Sequence, residues 1–282
     1  MKIARCIYRD AGVWGLVDDR TLQVLDGAGD FGQALALASA RNRFGTQGKL
    51  KEIPVEDVRW LPPVLASTKI ICAGINYADH AAEMNRQVIP HPPVFARFAD
   101  SFVGHDEPVI LPRVSDSFDY EAELAVVIGR AGRHIQESSA MDHVGGYTCM
   151  AENSVRDFQK HTTQVTPGKN FDRSGSLGPW IVTSDAISDP TKFTVTGRLN
   201  GEVVQQAGVH ELICSVARLV AYVSTFTLLR PGDVIATGTP AGVGSSRKPP
   251  LFMKPDDVFE VAIDGIGCLR NRVQQEQRNS GE

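Results

Sequence analysis

Short β-branched segments bounded by turn residues dominate the pattern of apolar and polar positions along the chain. Val, Ile, Thr and aromatic residues favour strands, whereas Gly, Pro, Asp and Asn mark the turns between them. The dipeptides Asn200-Gly201 and Asp264-Gly265 are typical of tight hairpins. The pattern predicts strands over KIICAGI (69–75), AELAVVIG (122–129), PWIVTS (179–184), FTVTGRLNG (193–201), DVIATG (233–238), VFEVAID (258–264) and IGCLRNRV (266–273).

Helical spacing is clearest in HELICSVARLVAYVSTFTLL (210–229), which is followed by the turn sequence RPGD. Its apolar residues recur three and four positions apart, as on the buried face of an amphipathic helix. The strands do not alternate regularly with helices. This arrangement predicts a fold that is α+β and predominantly β, with an antiparallel or mixed sheet and attached helices.

The first 62 residues predict a small N-terminal α/β module. Strand-like KIARCIYR and WGLVDD are separated by turn residues, and FGQALALASARN (31–42) has the Leu and Ala content of a helix. The prolines of VRWLPPV make it an extended connector, because each proline disfavours helix in the residue before it. We therefore expect a module at 1–62, a larger β domain at 63–275 and a flexible tail at 276–282.

Composition narrows the class of protein. The chain has 282 residues, of which 42% are hydrophobic and 22% charged, as in an ordinary globular protein. A net charge of −4 gives no reason to expect a nucleic-acid or anionic-membrane partner. Five scattered cysteines disfavour a disulfide framework or a zinc site. No signal-peptide core or membrane span is evident, so we expect a cytoplasmic protein.

Acidic residues alternate at the start of one predicted strand, SFDYEAELAVVIG (117–129). In a strand, Asp119, Glu121 and Glu123 would point to the same face, where ionised carboxylates repel unless they are protonated or bridged by a cation. One interpretation is a solvent-facing edge strand. The other is a site for Mg²⁺, Mn²⁺ or Ca²⁺, because these ions prefer oxygen ligands.

A further carboxylate, Glu152, lies within the segment GGYTCMAENSVRDFQKH (145–161), directly after its apolar first half. Glu152 is placed to supply a third oxygen ligand to such an ion, although a surface position is the simpler interpretation. Arg156 and Asp157 follow in the same segment, and we expect them to pair with each other and to brace the loop that carries Glu152.

A possible general base lies in GINYADHAAEMN (74–85). If ADHAAEM forms a helical turn, His80 and Glu83 are at positions i and i+3 and lie side by side. A carboxylate beside an imidazole fixes its tautomer and raises its basicity, which suits proton transfer. The alternative is an ordinary surface pair.

These segments together resemble the fumarylacetoacetate hydrolase family. The resemblance covers residues 68–273, about three-quarters of the chain, and implies a mixed β-sandwich roll, a homodimer and a bound Mg²⁺ or Mn²⁺, with Ca²⁺ possible in crystals. The motifs that carry it, in order, are NYADHAAEM, VGHDEPVILP, DYEAELAVVIG, GYTCMAENSVRDFQ, PGKNFDRSGSLGPWIVT, LNGEVVQ and ATGTPAGVG.

The resemblance also implies roles for individual residues. It makes His80, Glu83 and Lys169 catalytic, makes Tyr77, Arg97 and Thr239 substrate-binding, and surrounds the site with Asp119, Arg156 and Asp157. The implied metal ligands are Glu121, Glu123 and Glu152.

The chain departs from the family's pattern at positions 75, 97 and 152. Glu152 stands where most members have Asp, Ile75 where many have Arg, and Arg97 near a position where many have Lys. The change at position 75 puts the binding of a distal anionic group of the substrate in doubt. The glycines of ATGTPAGVG (236–244) lack the spacing of a phosphate loop, and we expect them to let a loop pass close to the ligand.

The resemblance implies a metal-dependent hydrolase that cleaves a carbon–carbon bond. Its substrate would be a 2,4-dioxo acid of the acylpyruvate or fumarylpyruvate type, and its products pyruvate and a carboxylic acid. Two other reactions use the same enolate chemistry: decarboxylation of oxaloacetate, and isomerisation or hydration of a 2-oxo-enoic acid. A non-catalytic metal-binding protein with the same fold is the alternative of another class.

Overall fold

The computed structural model describes residues 1–18, 20–44 and 50–277. Its helices are α1 (Phe31–Phe44), α2 (Ala78–Glu83), α3 (Arg156–Gln159), α4 (Thr166–Lys169) and α5 (Val216–Phe226). Its strands are β1 (Lys2–Tyr8), β2 (Ala11–Val17), β3 (Thr21–Val24), β4 (Glu52–Pro54), β5 (Arg59–Leu61), β6 (Ile70–Ala73), β7 (Val94–Arg97), β8 (Phe102–Val103), β9 (Val109–Leu111), β10 (Phe118–Asp119), β11 (Ala122–Ile128), β12 (Val144–Ala151), β13 (Ser154–Val155), β14 (Gly175–Thr183), β15 (Thr194–Leu199), β16 (Glu202–Gly208), β17 (Val234–Ala236), β18 (Val258–Ile263) and β19 (Gly267–Gln275).

Two mixed sheets form the body of the molecule. The larger has 12 strands in the order β4-β3-β2-β1-β14-β12-β11-β17-β6-β7, with β5 paired to β1 and β8 to β14. The smaller has the order β16-β15-β18-β19-β9. One apolar cluster joins Leu124 and Tyr147 of the larger sheet to Val195, Val261 and Leu269 of the smaller. The sheets therefore pack face to face, which confirms the α+β, predominantly β fold.

The N-terminal module shares the larger sheet with the rest of the chain. In β1, Lys2 pairs with Val182 and Ile3 with Ile181 of β14, so the strands of the module continue the sheet. The connector also contributes, because β5 pairs with β1. Residues 278–282 of the expected tail lie outside the described residues, and the backbone N–H of Glu276 bonds to Leu111. Asp19, the last residue of the strand-like WGLVDD, also lies outside them.

Strands β11 and β12 form the centre of the larger sheet. Every residue of both strands is buried, which explains their almost wholly apolar sequences. They pair antiparallel with Ala122 opposite Ala151, and the N–H of Glu152 donates to the carbonyl of Glu121 at 2.9 Å. The pairing therefore brings the acidic end of one strand against the residue that follows the other.

The structure differs from the sequence prediction at the long helix. Only Val216–Phe226 is α-helical, and the predicted first turn is not part of it. Asn76 accounts for the late start, because its side chain and carbonyl bond to the backbone of Ile213 and Cys214. Ser215 then caps the helix by accepting from the N–H of Arg218. No helix among the described residues is long and apolar enough to span a membrane.

The acidic segment is not one continuous strand. β10 ends at Asp119 and β11 begins at Ala122, because Asp119 pairs with Ser154 in a separate two-stranded sheet. The expected common face for the three acids therefore holds for Glu121 and Glu123 but not for Asp119. The Asn200-Gly201 hairpin is confirmed, since both residues have positive φ, 53° and 88°.

Candidate active site

Three glutamates converge at the edge of the central strands. Glu121, Glu123 and Glu152 each offer a carboxylate oxygen, and these oxygens lie within 4.8 Å of one another. All three side chains are buried. The first two project from the start of β11, and Glu152 follows the last residue of β12. The solvent-facing alternatives for these acids are thereby excluded.

Burial and mutual repulsion set the charge of this cluster. Burial raises the pKa of Glu121, but the charges of Lys169 and Arg156 and a hydrogen bond from Ser154 outweigh it and lower the value to about 2. The pKa of Glu123 is raised well above its usual range, first by burial and then by the charges of Glu152 and Glu121. The neighbouring cations therefore outweigh burial at Glu121 but not at Glu123.

Lys169 is the cation closest to the cluster. It is the last residue of α4, its side chain is buried, and its Nζ donates to Glu121 at 3.0 Å and to the carboxylate of Glu152. Burial lowers its pKa, but the charges of Glu121 and Glu152 outweigh burial and raise it. Lys169 is therefore a fixed positive charge at neutral pH rather than a base.

The second part of the site is the His80–Glu83 pair. Both residues lie on α2, and Nδ1 of His80 is 2.7 Å from Oε1 of Glu83, as the i, i+3 spacing predicts. His80 is buried. It also lies close enough to Glu121 to contribute to the lowering of that residue's pKa. The geometric link between this pair and the three-glutamate cluster is a single loop that donates hydrogen bonds to Glu83 and to Glu123.

A glycine-rich loop contacts both parts. The N–H of Gly238 donates to Glu123 at 2.8 Å, and the N–H of Gly242 donates to Glu83 at 3.0 Å. Gly238 has a φ of +102°, and a Cβ there would lie 2.8 Å from Cβ of Asn76, so this position requires glycine. The expectation that the loop approaches the ligand site is consistent with these contacts.

Arg97 lies inside the protein with its guanidinium bonded to protein groups. Its side chain is fully buried and donates to Glu152 Oε1 at 2.9 Å, to the carbonyl of Asn153, and to the hydroxyls of Ser101 and Ser174. In this arrangement Arg97 supports a carboxylate of the cluster.

The expected pair between Arg156 and Asp157 does not form. Arg156 donates to Asp119 at 2.7 Å and to Glu121 at 2.8 Å, whereas Asp157 accepts from Ser115 at 2.6 Å. Consecutive residues at the start of a helix point in different directions, which explains why the neighbours diverge. Arg156 therefore braces the cluster through residues distant from it in the chain.

The two remaining predicted substrate contacts differ from each other. The hydroxyl of Thr239 donates to the carbonyl of Ala122 at 3.1 Å and accepts from Gln205, so its hydrogen already has a protein acceptor. The hydroxyl of Tyr77 is buried and has no hydrogen-bond partner among the described residues. Burial and then the charge of Glu123 raise the pKa of Tyr77. Tyr77 therefore offers an unused donor near the cluster.

Several supporting residues have no signal in the sequence alone. Ser154 donates to Glu121 at 2.6 Å, and Ser246 donates to Glu83 at 2.7 Å. Gln205, the last residue of LNGEVVQ, accepts from the N–H of Ala122 and donates to Thr239. Serines and glutamines of this kind are common on surfaces, so only their spatial neighbours identify their roles.

The donor set fits a hard divalent cation. Carboxylate oxygens are the ligands that Mg²⁺ and Mn²⁺ prefer, and their spacing allows three of them to share one ion. Repulsion from Glu152 and Glu121 adds to burial in raising the pKa of Glu123, and a bound cation would offset both. The buried hydroxyl of Tyr77 has no hydrogen-bond partner among the described residues. Glu121, Glu123 and Glu152 are therefore the residues that would hold the ion.

Comparisons with known proteins agree with this geometry. A family profile described as fumarylacetoacetate (FAA) hydrolase, C-terminal, matches residues 69–274, and one described as Rv2993c-like, N-terminal, matches residues 1–63. Oxaloacetate tautomerase Fahd2a, mitochondrial, of Rattus norvegicus is 42% identical over 239 residues, which cover 84% of this chain and 76% of the relative.

Solved structures are similar over nearly the whole chain. The 5-carboxymethyl-2-hydroxymuconate delta-isomerase of Mycobacterium smegmatis has a TM-score of 0.81 and 31% identity, with 98% of this chain and 100% of that one covered. Maleylpyruvate hydrolase of Sphingobium sp. SYK-6, in complex with manganese(II) ion and pyruvate, has a TM-score of 0.81 and 29% identity at the same coverage. Both the sequence and the fold place this chain in one group, and it belongs to the fumarylacetoacetate hydrolase family.

Proposed function

We propose that the protein is a divalent-metal-dependent enzyme that moves a proton between carbon and oxygen of a 2-oxo acid, and that its reaction is the keto–enol tautomerisation of oxaloacetate. The observation that carries the proposal is that one loop donates hydrogen bonds both to Glu83 of the His80–Glu83 pair and to Glu123 of the three-glutamate cluster. The 42% identity to a relative named oxaloacetate tautomerase supports the choice of substrate.

Glu83 fixes the tautomer of His80. Burial raises the pKa of Glu83, but hydrogen bonds from His80, Ser246 and the N–H of Gly242 outweigh it and lower the value. An ionised carboxylate only accepts hydrogen bonds, so Nδ1 of His80 carries the hydrogen and Nε2 keeps a lone pair. Nε2 takes a proton from C3 of oxaloacetate, and the proton is returned to the oxygen on C2, which leaves the composition of the substrate unchanged.

The charge that develops on the oxygen of C2 needs positive partners. A divalent cation, which Glu121, Glu123 and Glu152 would hold, would supply Lewis acidity and so would make the C3 proton of a bound 2-oxo acid more acidic. Lys169 provides a permanent positive charge at the same carboxylates. Tyr77 offers its unpartnered hydroxyl as a donor to the bound acid.

The test is the rate at which oxaloacetate approaches its keto–enol equilibrium, followed by the ultraviolet absorbance of the enol. We expect the protein to accelerate this approach with Mg²⁺ or Mn²⁺ present, to lose the acceleration in EDTA and to recover it when metal is restored. Pyruvate should not accumulate. A rate equal to the uncatalysed one at every metal concentration would exclude this function.

Hydrolysis of a 2,4-dioxo acid is the second candidate. The similarity to a maleylpyruvate hydrolase at a TM-score of 0.81 favours it, although the identity, 29%, is lower than that to the tautomerase. In this reaction Nε2 of His80 takes a proton from water, the hydroxide adds to the distal carbonyl, and the carbon–carbon bond breaks as the enolate of pyruvate leaves.

One set of assays separates the candidates. Loss of a 2,4-dioxo acid with stoichiometric pyruvate indicates hydrolysis, whereas pyruvate and CO₂ from oxaloacetate indicate decarboxylation. Faster equilibration of oxaloacetate without either product indicates tautomerisation. The expected homodimer remains a prediction, which light scattering of the purified protein tests directly.

A further inference from the structure

Two carboxylates, the fully buried Asp119 and the partly buried Glu83, accept hydrogen bonds from the same short loop. Gly242 and Ser246 donate to Oε2 of Glu83 at 3.0 and 2.7 Å, and Gly244 donates to Oδ1 of Asp119 at 2.7 Å. The N–H of Ser245 donates to the other oxygen of Asp119 at 2.9 Å. Residues 242–246 therefore lie between Asp119 and the partner of His80.

Asp119 also connects to the three-glutamate cluster. It is fully buried, and Arg156 donates to it at 2.7 Å and to Glu121 at 2.8 Å. Its remaining hydrogen bond comes from the N–H of Tyr120 at 2.9 Å. One carboxylate thus joins the segment that carries Glu121 to the loop that receives Glu83.

The loop has little freedom to take another shape. Gly242 has a φ of +106°, and a Cβ there would lie 2.2 Å from the carbonyl of Val204. A Cβ on Gly244 would lie 1.9 Å from the carbonyl of Leu251 and 2.7 Å from Asp119 itself. Both glycines are required by close backbone approach, and the N–H groups that this approach exposes are directed at Asp119 and Glu83.

We propose that Asp119 is a positioning residue that holds loop 242–246 in the shape that receives Glu83. Through this loop it aligns the His80–Glu83 pair with the cluster of Glu121, Glu123 and Glu152. Asp119 makes no contact with either His80 or Glu83 in its own hydrogen-bond set, so its effect on turnover passes through the loop. The proposal rests on the proposed role of His80 as the base.

The test is a double-mutant cycle of Asp119→Asn with Glu83→Gln, measured as kcat. An amide in place of the carboxylate turns an NH₂ group toward N–H donors, which disrupts the loop while keeping the side-chain volume. We expect Asp119→Asn to lower kcat by about tenfold to a hundredfold. In the Glu83→Gln background, Asp119→Asn should lower kcat by less than about twofold, because the orientation of His80 by Glu83, through which Asp119 acts, is already lost.

Asp233→Asn is the matched control. Asp233 is also buried, accepts two backbone N–H groups, from Lys69 and Arg230, and pairs with the ammonium of Lys69. It precedes β17, whereas the site lies beyond the other end of that strand. This variant should lower Tm but leave kcat of the folded protein unchanged.

Hydrogen exchange gives a readout that does not depend on turnover. Asp119→Asn should speed amide exchange in helix α2, which Asp119 does not touch, and Asp233→Asn should not. If Asp119→Asn fails to fold, Ser246→Ala tests the loop from its other side, because it removes one bond to Glu83 and leaves Asp119 intact. Ser246→Ala should lower kcat several-fold, and this loss should also disappear in the Glu83→Gln background.

The outcomes separate this proposal from the proposed function. If Glu83→Gln turns over at the native rate, the role of Glu83 in orienting His80 and this proposal are both wrong, whereas His80→Ala tests separately whether His80 is the base. If Glu83→Gln is slow and the losses caused by Asp119→Asn or Ser246→Ala multiply with it, only this proposal is overturned. Unchanged exchange in α2 of a folded Asp119→Asn would overturn it as well.

Discussion

The two parts of the candidate site, the three-glutamate cluster and the His80–Glu83 pair, lie on different kinds of structural element. Glu121, Glu123 and Glu152 lie at the ends of β11 and β12, whose residues are all buried in the centre of the larger sheet. His80 and Glu83 lie on α2, a helix of six residues followed by an exposed segment in which Val88 and Ile89 are more than half exposed. The proposed metal ligands are held by the sheet, whereas the proposed base, His80, is held by a few side-chain contacts.

This difference shows what fixes the position of each side chain in the site. The pairing of β11 with β12 fixes the backbone positions of the three glutamates. The position of His80 depends instead on Glu83 and on the loop that Glu83 contacts. We therefore expect changes in the cluster to alter metal affinity, and changes on α2 or the loop to alter turnover at nearly constant metal affinity.

The largest effect should come from removing a ligand. Glu123→Gln should weaken binding of Mn²⁺ to the metal-free protein by more than the roughly 10–100-fold that outer-shell changes cause, as measured by titration calorimetry. Burial, and then repulsion from Glu152 and Glu121, raise the pKa of Glu123, so keeping this carboxyl in the folded protein costs stability at neutral pH. The same variant without metal should therefore have a Tm equal to or above that of the wild type. Glu260→Gln, on β18, should change neither quantity.

The second-largest effect should come from removing the proposed base, His80. His80→Ala should lower kcat by about 10²–10⁴-fold, the usual contribution of a positioned base. The dissociation constant for Mn²⁺ should change less than about threefold, since His80 is not among the oxygen donors. A His80→Ala variant with native kcat would show that another group moves the proton.

Substitutions of Arg97 should lower metal affinity, as changes in the three-glutamate cluster do, rather than kcat, as changes at His80 do. Arg97→Met leaves Glu152 without one of its cationic partners, so we expect metal affinity to fall by about 10–100-fold and KM for substrate to follow it at low metal. Arg97→Lys, which keeps the charge but loses the planar fork, should be intermediate. If saturating metal leaves KM raised in both variants, Arg97 contacts the substrate after all.

The smallest effect is on stability and depends on pH. The pKa of Glu83 is lowered in the folded protein, so its ionised form stabilises the fold above the ordinary carboxyl pKa, and this stabilisation is lost as pH falls through the lowered value. The Tm difference between wild type and Glu83→Gln should therefore be greatest near neutral pH and should narrow in acid. A difference that grows in acid would contradict the assigned direction.

Local patterns predicted much of the molecule from the sequence. Alternation and burial predicted the strands around Glu121 and Glu123, the i, i+3 spacing predicted the contact between His80 and Glu83, and Asn200-Gly201 predicted a hairpin. Each of these depends on residues that are neighbours in the chain. The physical rules that apply to them require no knowledge of the rest of the fold.

Partners distant in the chain explain what the sequence did not predict. Asp119 leaves the face of Glu121 because Ser154 pairs with its backbone and Arg156 binds its carboxylate. Arg97 bonds to Glu152, 55 residues away. The long helix begins late because Asn76 bonds to the backbone of Cys214, 138 residues away. No periodicity or spacing encodes such contacts, since they exist only after the sheets assemble.

The continuation of the larger sheet into the N-terminal strands has a practical consequence for expression. A chain trimmed to begin after residue 62 would lose β1 and expose the backbone N–H and C=O groups of β14 along an unprotected edge. Edges of this kind invite pairing between molecules, so such a fragment should aggregate even though it retains every residue of the candidate site. The short leading module thus protects solubility for the part that carries the chemistry.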